Sequence, residues 1–440
     1  MKYFLIILTI FIINCEEVNA GGVVNLDSLV IEALLNNPEI NASKNRYLAT
    51  TKRPSQEGTL PNPIIGGRIK NVSFDEITLG DDPRSDVQVF FIQEIPFPGK
   101  LSTKEKVAVE NAESQKWLAY AISKRIIADL KTSYFDWFFI NKSIEITTKN
   151  KELLSKFAKV AEVKYEVGIG LQQDVLKAQV EVSRFIERLQ LLNEKNQSIE
   201  YKIKKLLNRP LDSTLGKPEK VIKAEFVLNI DDISKITQEQ APLIHSSSEI
   251  VDSREESLNL AKKQYFPDFI IGGTYFNRSG GSGNFDDIWQ LSLGLRVPLY
   301  FWKKERFGVE EANLNLLEAK ENYDAVEDNL LFQVKDNFIT AQTAEKLMEL
   351  YRGGIIPQSS LSLESAISGY QVGDVDFLTL LNNLITLFNF ELEYYDQLTV
   401  YQKALVKIEE LSGMEIISKA TLTSDESEEI NHTIGEDLNE

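Results

Sequence analysis

Residues 289–297, read Trp-Gln-Leu-Ser-Leu-Gly-Leu-Arg-Val, alternate apolar and polar without a fault. Trp289, Leu291, Leu293, Leu295 and Val297 share one face and Gln290, Ser292, Gly294 and Arg296 the other, the period-2 pattern of a strand. Residues 270–277 are its predicted partner, joined to it by the Gly-rich stretch 279–284. A second pair is predicted at 64–71 and 87–95, joined through 75–85, but its alternation is faulted because Phe90 and Ile92 fall on the polar side. Strands of about nine residues with one apolar face fit an outer-membrane barrel. On this segment alone, a strand of a soluble sandwich is the better reading.

Elsewhere the period is helical. Residues 26–49 read as one amphipathic helix, with Asp27 and Glu32 early, where the helix dipole favours acid. Residues 101–167 hold neither Gly nor Pro, and one helix over that run would reach about 100 Å. That is far beyond an ordinary globular helix and implies coiled-coil-like packing. Gly168 and Gly170 break the run, and residues 171–208 resume it up to Pro210, which predicts a long antiparallel hairpin. A second hairpin starts near Arg306, turns at Gly373 and returns to Gly413, its outgoing helix interrupted at Gly353, Gly354 and Pro357.

These elements occur twice. Ile64-Ile65-Gly66-Gly67 behind Pro61-Asn62 returns as Ile270-Ile271-Gly272-Gly273 behind Pro267-Asp268, 206 residues later. Tyr165-Glu166-Val167-Gly168 returns as Tyr370-Gln371-Val372-Gly373, and Asn36-Asn37-Pro38 matches Gln240-Ala241-Pro242, at nearly the same offset. Such a period is too long for a solenoid and suits a pseudo-symmetric ring in which each chain supplies two similar staves. The expected organisation is a signal peptide at 1–20 and a first repeat at 21–209, with strands near 63–73 and 86–95 and a hairpin near 100–208. A linker at 210–236 then precedes a second repeat at 237–413, with strands near 268–277 and 288–298 and a hairpin near 303–412. An acidic tail occupies 414–440.

Charge and cysteine usage narrow the function. A net charge of −18 over 440 residues argues against nucleic acid as a partner, and part of it sits in the tail, which reads as solvated and disordered. Lys2 followed by a short apolar run marks export. Two cleavage readings stand: ordinary cleavage after Val18-Asn19-Ala20, preferred because helical periodicity begins soon after Gly22, and a loose lipobox ending at Cys15, a possible lipidation site. Cys15 is the only cysteine, so no intrachain disulfide forms. With only His245 and His432, a histidine-rich metal site is excluded, and His245 on a predicted helix reads as a packing or surface residue. No cofactor, metal site or convergent catalytic set is expected. Gly66-Gly67 and Gly272-Gly273 lack the following Lys and helix of a phosphate loop and read as bends or close packing.

Four strands cannot close a barrel, and an open sheet cannot sit in lipid with unpaired edges. Three chains supply twelve strands, within the even-numbered range of closed barrels. If the strands are embedded in a membrane, a homotrimer follows.

The ordered motifs Asn37-Pro38-Glu39-Ile40, Leu60-Pro61-Asn62-Pro63, Gln93-Glu94-Ile95-Pro96-Phe97-Pro98-Gly99-Lys100 and Tyr165-x-x-Gly168 with Asp174-Val175-Leu176-Lys177-Ala178-Gln179 resemble the TolC family of outer-membrane efflux channels. The resemblance covers roughly residues 25–413, and the Gln93–Lys100 segment looks most like the heavy-metal and cation efflux branch. It implies a mixed α and β fold: a trimeric 12-stranded outer-membrane β-barrel continued by a long α-helical periplasmic barrel, with the 210–236 linker and the segment after Gly413 as a belt. It also implies an adaptor protein at the periplasmic tips, Tyr165, Val167, Gly168 and Ile169 on one hairpin and Tyr370, Val372 and Gly373 on the other, and an inner-membrane pump beyond it. Some relatives constrict the entrance with aspartates after the second tip. This chain has Thr379 and Asn382 at that spacing, with Asp374 and Asp376 nearer the turn. The competing reading is an exported coiled-coil scaffold without channel activity.

Overall fold

An asparagine sets the first departure from expectation. The run 26–49 is two helices, α1 (Leu26–Asn36) and α2 (Pro38–Thr50), because Asn37 is extended and its Oδ1 accepts the Glu39 and Ile40 amides at 2.9 and 3.2 Å. Its Nδ2 donates to the Leu206 carbonyl at 2.8 Å, so the break is anchored from a distant segment. Pro38, with no N–H to lose, starts the second helix at no cost.

The structure is a computed structural model that describes residues 22–71, 84–226, 229–280 and 283–416. The expected signal peptide, Cys15, His432, most of the 75–85 loop, Gly281 and Ser282, and nearly all of the acidic tail lie outside the described residues. Along the chain, β1 (Val23–Val24) precedes α1 and α2, which lead through α3 (Arg53–Glu57) to β2 (Ile64–Lys70) and β3 (Asp86–Ile95). Then come α4 (Lys100–Glu166), α5 (Gln172–Leu206), β4 (Lys217–Pro218), α6 (Ile230–Gln240) and α7 (Pro242–Lys263). The strands β5 (Asp268–Asn277), β6 (Ser279–Gly280), β7 (Gly283–Asn284) and β8 (Ile288–Arg296) precede α8 (Lys304–Leu350). A π turn over Tyr351–Ile355 then leads into α9 (Ile356–Val372) and α10 (Phe377–Ser412). No helix among the described residues is long and apolar enough to cross a membrane.

The described residues fall into two compact units. One gathers those up to Asn41, Ser123–Lys235 and those from Gln333 onward; the other gathers Ala42–Ile122 and Ile236–Phe332. In the first, Leu154 of α4, Ala178 and Phe185 of α5, Leu363 of α9 and Leu380, Leu384 and Phe388 of α10 form one apolar core, with Phe185 and Phe388 edge to face at 5.0 Å. The helices also clasp a polar strap: Tyr134 Oη donates to the Val24 carbonyl and accepts the Glu219 amide, both at 2.9 Å, beside the parallel pair β1–β4. Burial pushes the Tyr134 hydroxyl up to about 12, so it stays a donor throughout the neutral range. Tyr401 and Gln402 of α10 reach the Ala224 and Ile222 carbonyls at 2.9 and 2.7 Å. The strap ends earlier than the sequence predicts, since Asn229 accepts the Asp231 and Asp232 amides and starts α6 at Ile230.

The expected interruption of the second outgoing helix is the π turn, with Pro357 just after it. A Cβ at Gly353 or Gly354 would meet nothing within 4 Å, and neither has a positive φ. Gly353→Ala and Gly354→Ala should each stabilise the chain by about 0.5–1 kcal/mol, the usual entropic gain of alanine over glycine in a helix. Thermal melts of the two variants check this.

The second unit holds the antiparallel sheet β2-β3-β5-β8, with β2 and β8 at its edges. Its register explains the fault in the first strand pair. Gly66 lies opposite Phe90, and a Cβ at Gly66 would fall 2.3 Å from the Phe90 ring. An aromatic side chain on the polar face is thus housed by the glycine beside it.

Candidate functional site

Directly opposed residues in an antiparallel sheet share a face, so the register sorts every strand residue. The row Ile65–Phe91–Gly273–Leu291 and the row Ile271–Leu293 lie on one side with Val89, Trp289 and Leu295. The other side carries Arg68, Lys70, Gln88, Glu94, Gln290, Ser292 and Arg296, with Arg296 ion-paired to Glu94. The apolar face is bare: Trp289 is 80% exposed, Leu293 77% and Leu291 75%. From Trp289 to Val297 the strand path covers about 27 Å, or about 20 Å once tilted as barrel strands are, close to the apolar band of an outer-membrane barrel. Trp289 packs on Tyr275 at 4.8 Å at one end of that face, the position of an interfacial aromatic belt.

A buried ion pair fixes the end of this sheet where helices begin. Lys100, the last residue of the Gln93–Lys100 motif and the first of α4, donates to Asp268 Oδ1 at 2.7 Å and to the Phe266 carbonyl at 2.9 Å. The same carboxylate oxygen accepts the Phe97 amide at 2.8 Å, and Phe97 stacks on Phe266 with centroids 4.5 Å apart. Sequence reasoning missed this partnership, although the Pro267-Asp268 repeat landmark was in view.

In the other unit, the two hairpin tips carry the predicted contact residues. Gly168 (φ 79°) and Gly373 (φ 94°) both take the left-handed conformation that residues with a Cβ avoid. At the first tip the Ile169 and Gly170 amides both bond the Lys164 carbonyl, at 3.0 and 2.9 Å, closing α4. Tyr165, Val167 and Ile169 are exposed, as is Val372 at 74%. Tyr370 differs: it is 7% exposed, its ring packs on Phe377 at 5.7 Å, and the Lys164 ammonium lies 4.2 Å from its centroid while bonding its carbonyl. It ties the two tips together from within.

The entrance candidates divide likewise. Asp374, Thr379 and Asn382 are exposed. Asp376 caps α10, its Oδ1 accepting the Thr379 amide at 2.7 Å and its Oδ2 the Thr379 hydroxyl at 3.1 Å. That amide bond above all holds the Asp376 carboxyl below the usual range. Asp174 of α5 is raised, first by burial and then by the Asp376 charge, so the two tips bring carboxylates within electrostatic reach. Asn382 lines a groove with Leu176, Lys177 and Val180.

Away from these sites, His245 on α7 stacks on Trp117 at 4.3 Å, a packing role. Among the described residues no group of three or more His, Cys, Asp or Glu is placed to hold a metal ion. Glu249 of α7 is raised to about 7, chiefly by burial, then by a hydrogen bond with Glu110 and by the charges of Glu110, Asp252 and Glu113. The folded chain therefore holds a proton there that the unfolded chain releases near 4.5, and stability falls as pH rises from 4.5 to 7. Glu249→Gln should raise the melting temperature at pH 8 and leave it almost unchanged at pH 4.5; a gain confined to acid pH would contradict this assignment.

An open-edged sheet with a bare apolar face, combined with long helical hairpins, defines the class of outer-membrane channel with a helical extension. Residues 234–414 match the sequence model of the outer membrane efflux protein family. The cobalt-zinc-cadmium resistance protein CzcC of Cupriavidus metallidurans is 20% identical over 410 residues, covering 90% of this chain and 91% of its own. Two solved structures have the same fold. The outer membrane protein VceC of Vibrio cholerae has a TM-score of 0.77 at 15% identity, covering 89% of this chain and 96% of its own. The CmeC outer membrane channel of Campylobacter jejuni also has a TM-score of 0.77 at 15% identity, covering 93% and 89%. Over residues 234–414 the chain thus matches the outer membrane efflux protein family, and over nearly its whole length it is similar to a resistance protein in sequence and to outer-membrane channels in fold.

Proposed function

We propose that three copies close edge to edge, β8 of one against β2 of the next, into a 12-stranded barrel in the outer membrane, continued into the periplasm by a helical barrel. The trimer is a passive duct in a tripartite efflux system. The carrying observation is the four-stranded sheet itself, one face largely apolar and exposed, the other holding all its Arg, Lys and Glu side chains, both edges open. In lipid those edges demand partners. A periplasmic adaptor docks at Tyr165, Val167, Gly168 and Ile169 and at Val372 and Gly373, linking the duct to an inner-membrane pump. The entrance is ringed by Asp374 and by Asp376, whose carboxylate also caps α10, and such rings favour cations. The name of the Cupriavidus relative supports divalent metal cations as cargo.

The test is the mass of the detergent-solubilised protein together with its conductance in a planar bilayer. A trimer that conducts, with cation selectivity weakened in Asp374→Asn/Asp376→Asn, is expected. A stable folded monomer without conductance would overturn the assignment.

A further inference from the structure

The two strand-to-helix junctions of this sheet are built differently. After β3 the junction is closed, with Phe97 stacked on Phe266 and the Lys100 ammonium buried against Asp268. After β8 the corresponding residues stay outside. Tyr300 is 70% exposed, Trp302 52% and Phe301 50%, and the rings lean on one another, Trp302 lying 5.4 Å from Phe301 and 6.0 Å from Tyr300. Lys303, Lys304 and Arg306 follow at once, all exposed. Among the described residues none of the three forms an ion pair. Three cations beside three exposed rings are unexpected on a chain of net charge −18; Arg306 leans over the Phe307 ring at 5.8 Å and Phe301 lies 6.4 Å from Tyr265, while Lys303 and Lys304 make no ion pair among the described residues.

We propose that this junction seats on a phospholipid leaflet and selects anionic headgroups of the phosphatidylglycerol type. The inference rests on the membrane reading of the sheet, with whose apolar face the junction is continuous through the exposed Val297 and Leu299. Aromatic side chains with an apolar body and a polar edge settle at the depth of the headgroups. Lys and Arg beside them meet the phosphates, and each contributes about 1 kcal/mol to attraction toward an anionic surface. The rings set depth and the cations set lipid preference. At the closed junction after β3 the Lys100 ammonium is neutralised by Asp268 and the Lys263 ammonium is bound to the Gly99 carbonyl, so the preference belongs to the second repeat.

The full-length protein is reconstituted at low salt into phosphatidylcholine vesicles containing a rising fraction of either brominated phosphatidylglycerol or brominated phosphatidylcholine, and tryptophan emission is followed. The wild type should be quenched at a much lower fraction of the anionic lipid. Lys303→Gln/Lys304→Gln/Arg306→Gln should lose nearly all of this preference, on the order of a hundredfold in affinity for the anionic surface, and Trp302→Phe should lose the lipid-specific part of the quenching. About 1 M salt should erase the difference in the wild type, which decides the matter if the triple variant fails to fold. Equal quenching by both lipids in inserted wild type overturns the proposal, as does a preference that survives the triple variant or Trp302→Phe. Quenching in inserted protein that is the same in wild type and Trp302→Phe with either lipid would mean that another copy of the chain covers the rings, and overturns it too. Protein that enters neither vesicle sinks the membrane reading along with it.

Discussion

Asp268→Ala should destabilise the chain by about 3–5 kcal/mol, the usual result of removing one partner from a buried ion pair. Two groups lose their acceptor at once: the Lys100 ammonium, whose side chain is only 5% exposed, and the Phe97 amide. Lys100 keeps the Phe266 carbonyl, which cannot neutralise its charge. Asp268→Asn should cost less, since its side-chain oxygen can still accept from Phe97. Denaturant unfolding in detergent orders the three proteins. If alanine and asparagine are equally tolerated, charge pairing contributes little and the stack of Phe97 on Phe266 holds the junction.

Leu293→Arg should cost about 2–4 kcal/mol per chain once the protein is in lipid, the penalty for arginine near the midplane on a barrel's outer face. Leu293 lies opposite Ile271 in the apolar row and is 77% exposed, so in lipid no carboxylate on that face stands opposite the guanidinium. Ser292→Arg, one residue away, points to the face that already carries Arg68, Lys70 and Arg296, and should assemble nearly as well as wild type. The comparison is read from the yield of heat-resistant oligomer in the membrane fraction. Equal losses in both variants would mean that the two faces are not lipid and lumen.

The strands and the long helices were legible because each rests on a local period: two for Trp289 to Val297, and a helical run without Gly or Pro for α4. What failed was mostly a matter of single polar side chains. Asn37 splits the first helix through two hydrogen bonds to amides just after it, and Asn229 starts α6 in the same way. Both Asn-to-helix signals are present in the sequence, the first inside a continuous apolar period and the second inside a stretch that reads as linker. The Asp376 cap is visible too, as a carboxylate three residues before Thr379, where its charge and its capping bond are carried by the same group. Other features depend on contacts between distant residues and leave no local trace. Phe90 looks misplaced until the register sets it beside Gly66. Lys100 looks like any surface lysine until Asp268 is folded against it, and Tyr370 shares a motif with Tyr165 yet faces inward.

The open edges have a consequence before the protein reaches its membrane. A strand as long and as apolar on one face as β8, bare of partners along one side, is a template for any extended chain that drifts near it. During transit through water the same hydrogen-bonding groups that later join copies into a ring can instead join them into an open-ended aggregate. Only the order of events separates the two outcomes. Folding yield should therefore fall when the chain is concentrated before lipid is supplied and recover when lipid comes first, which makes the timing of insertion a requirement written into the sheet.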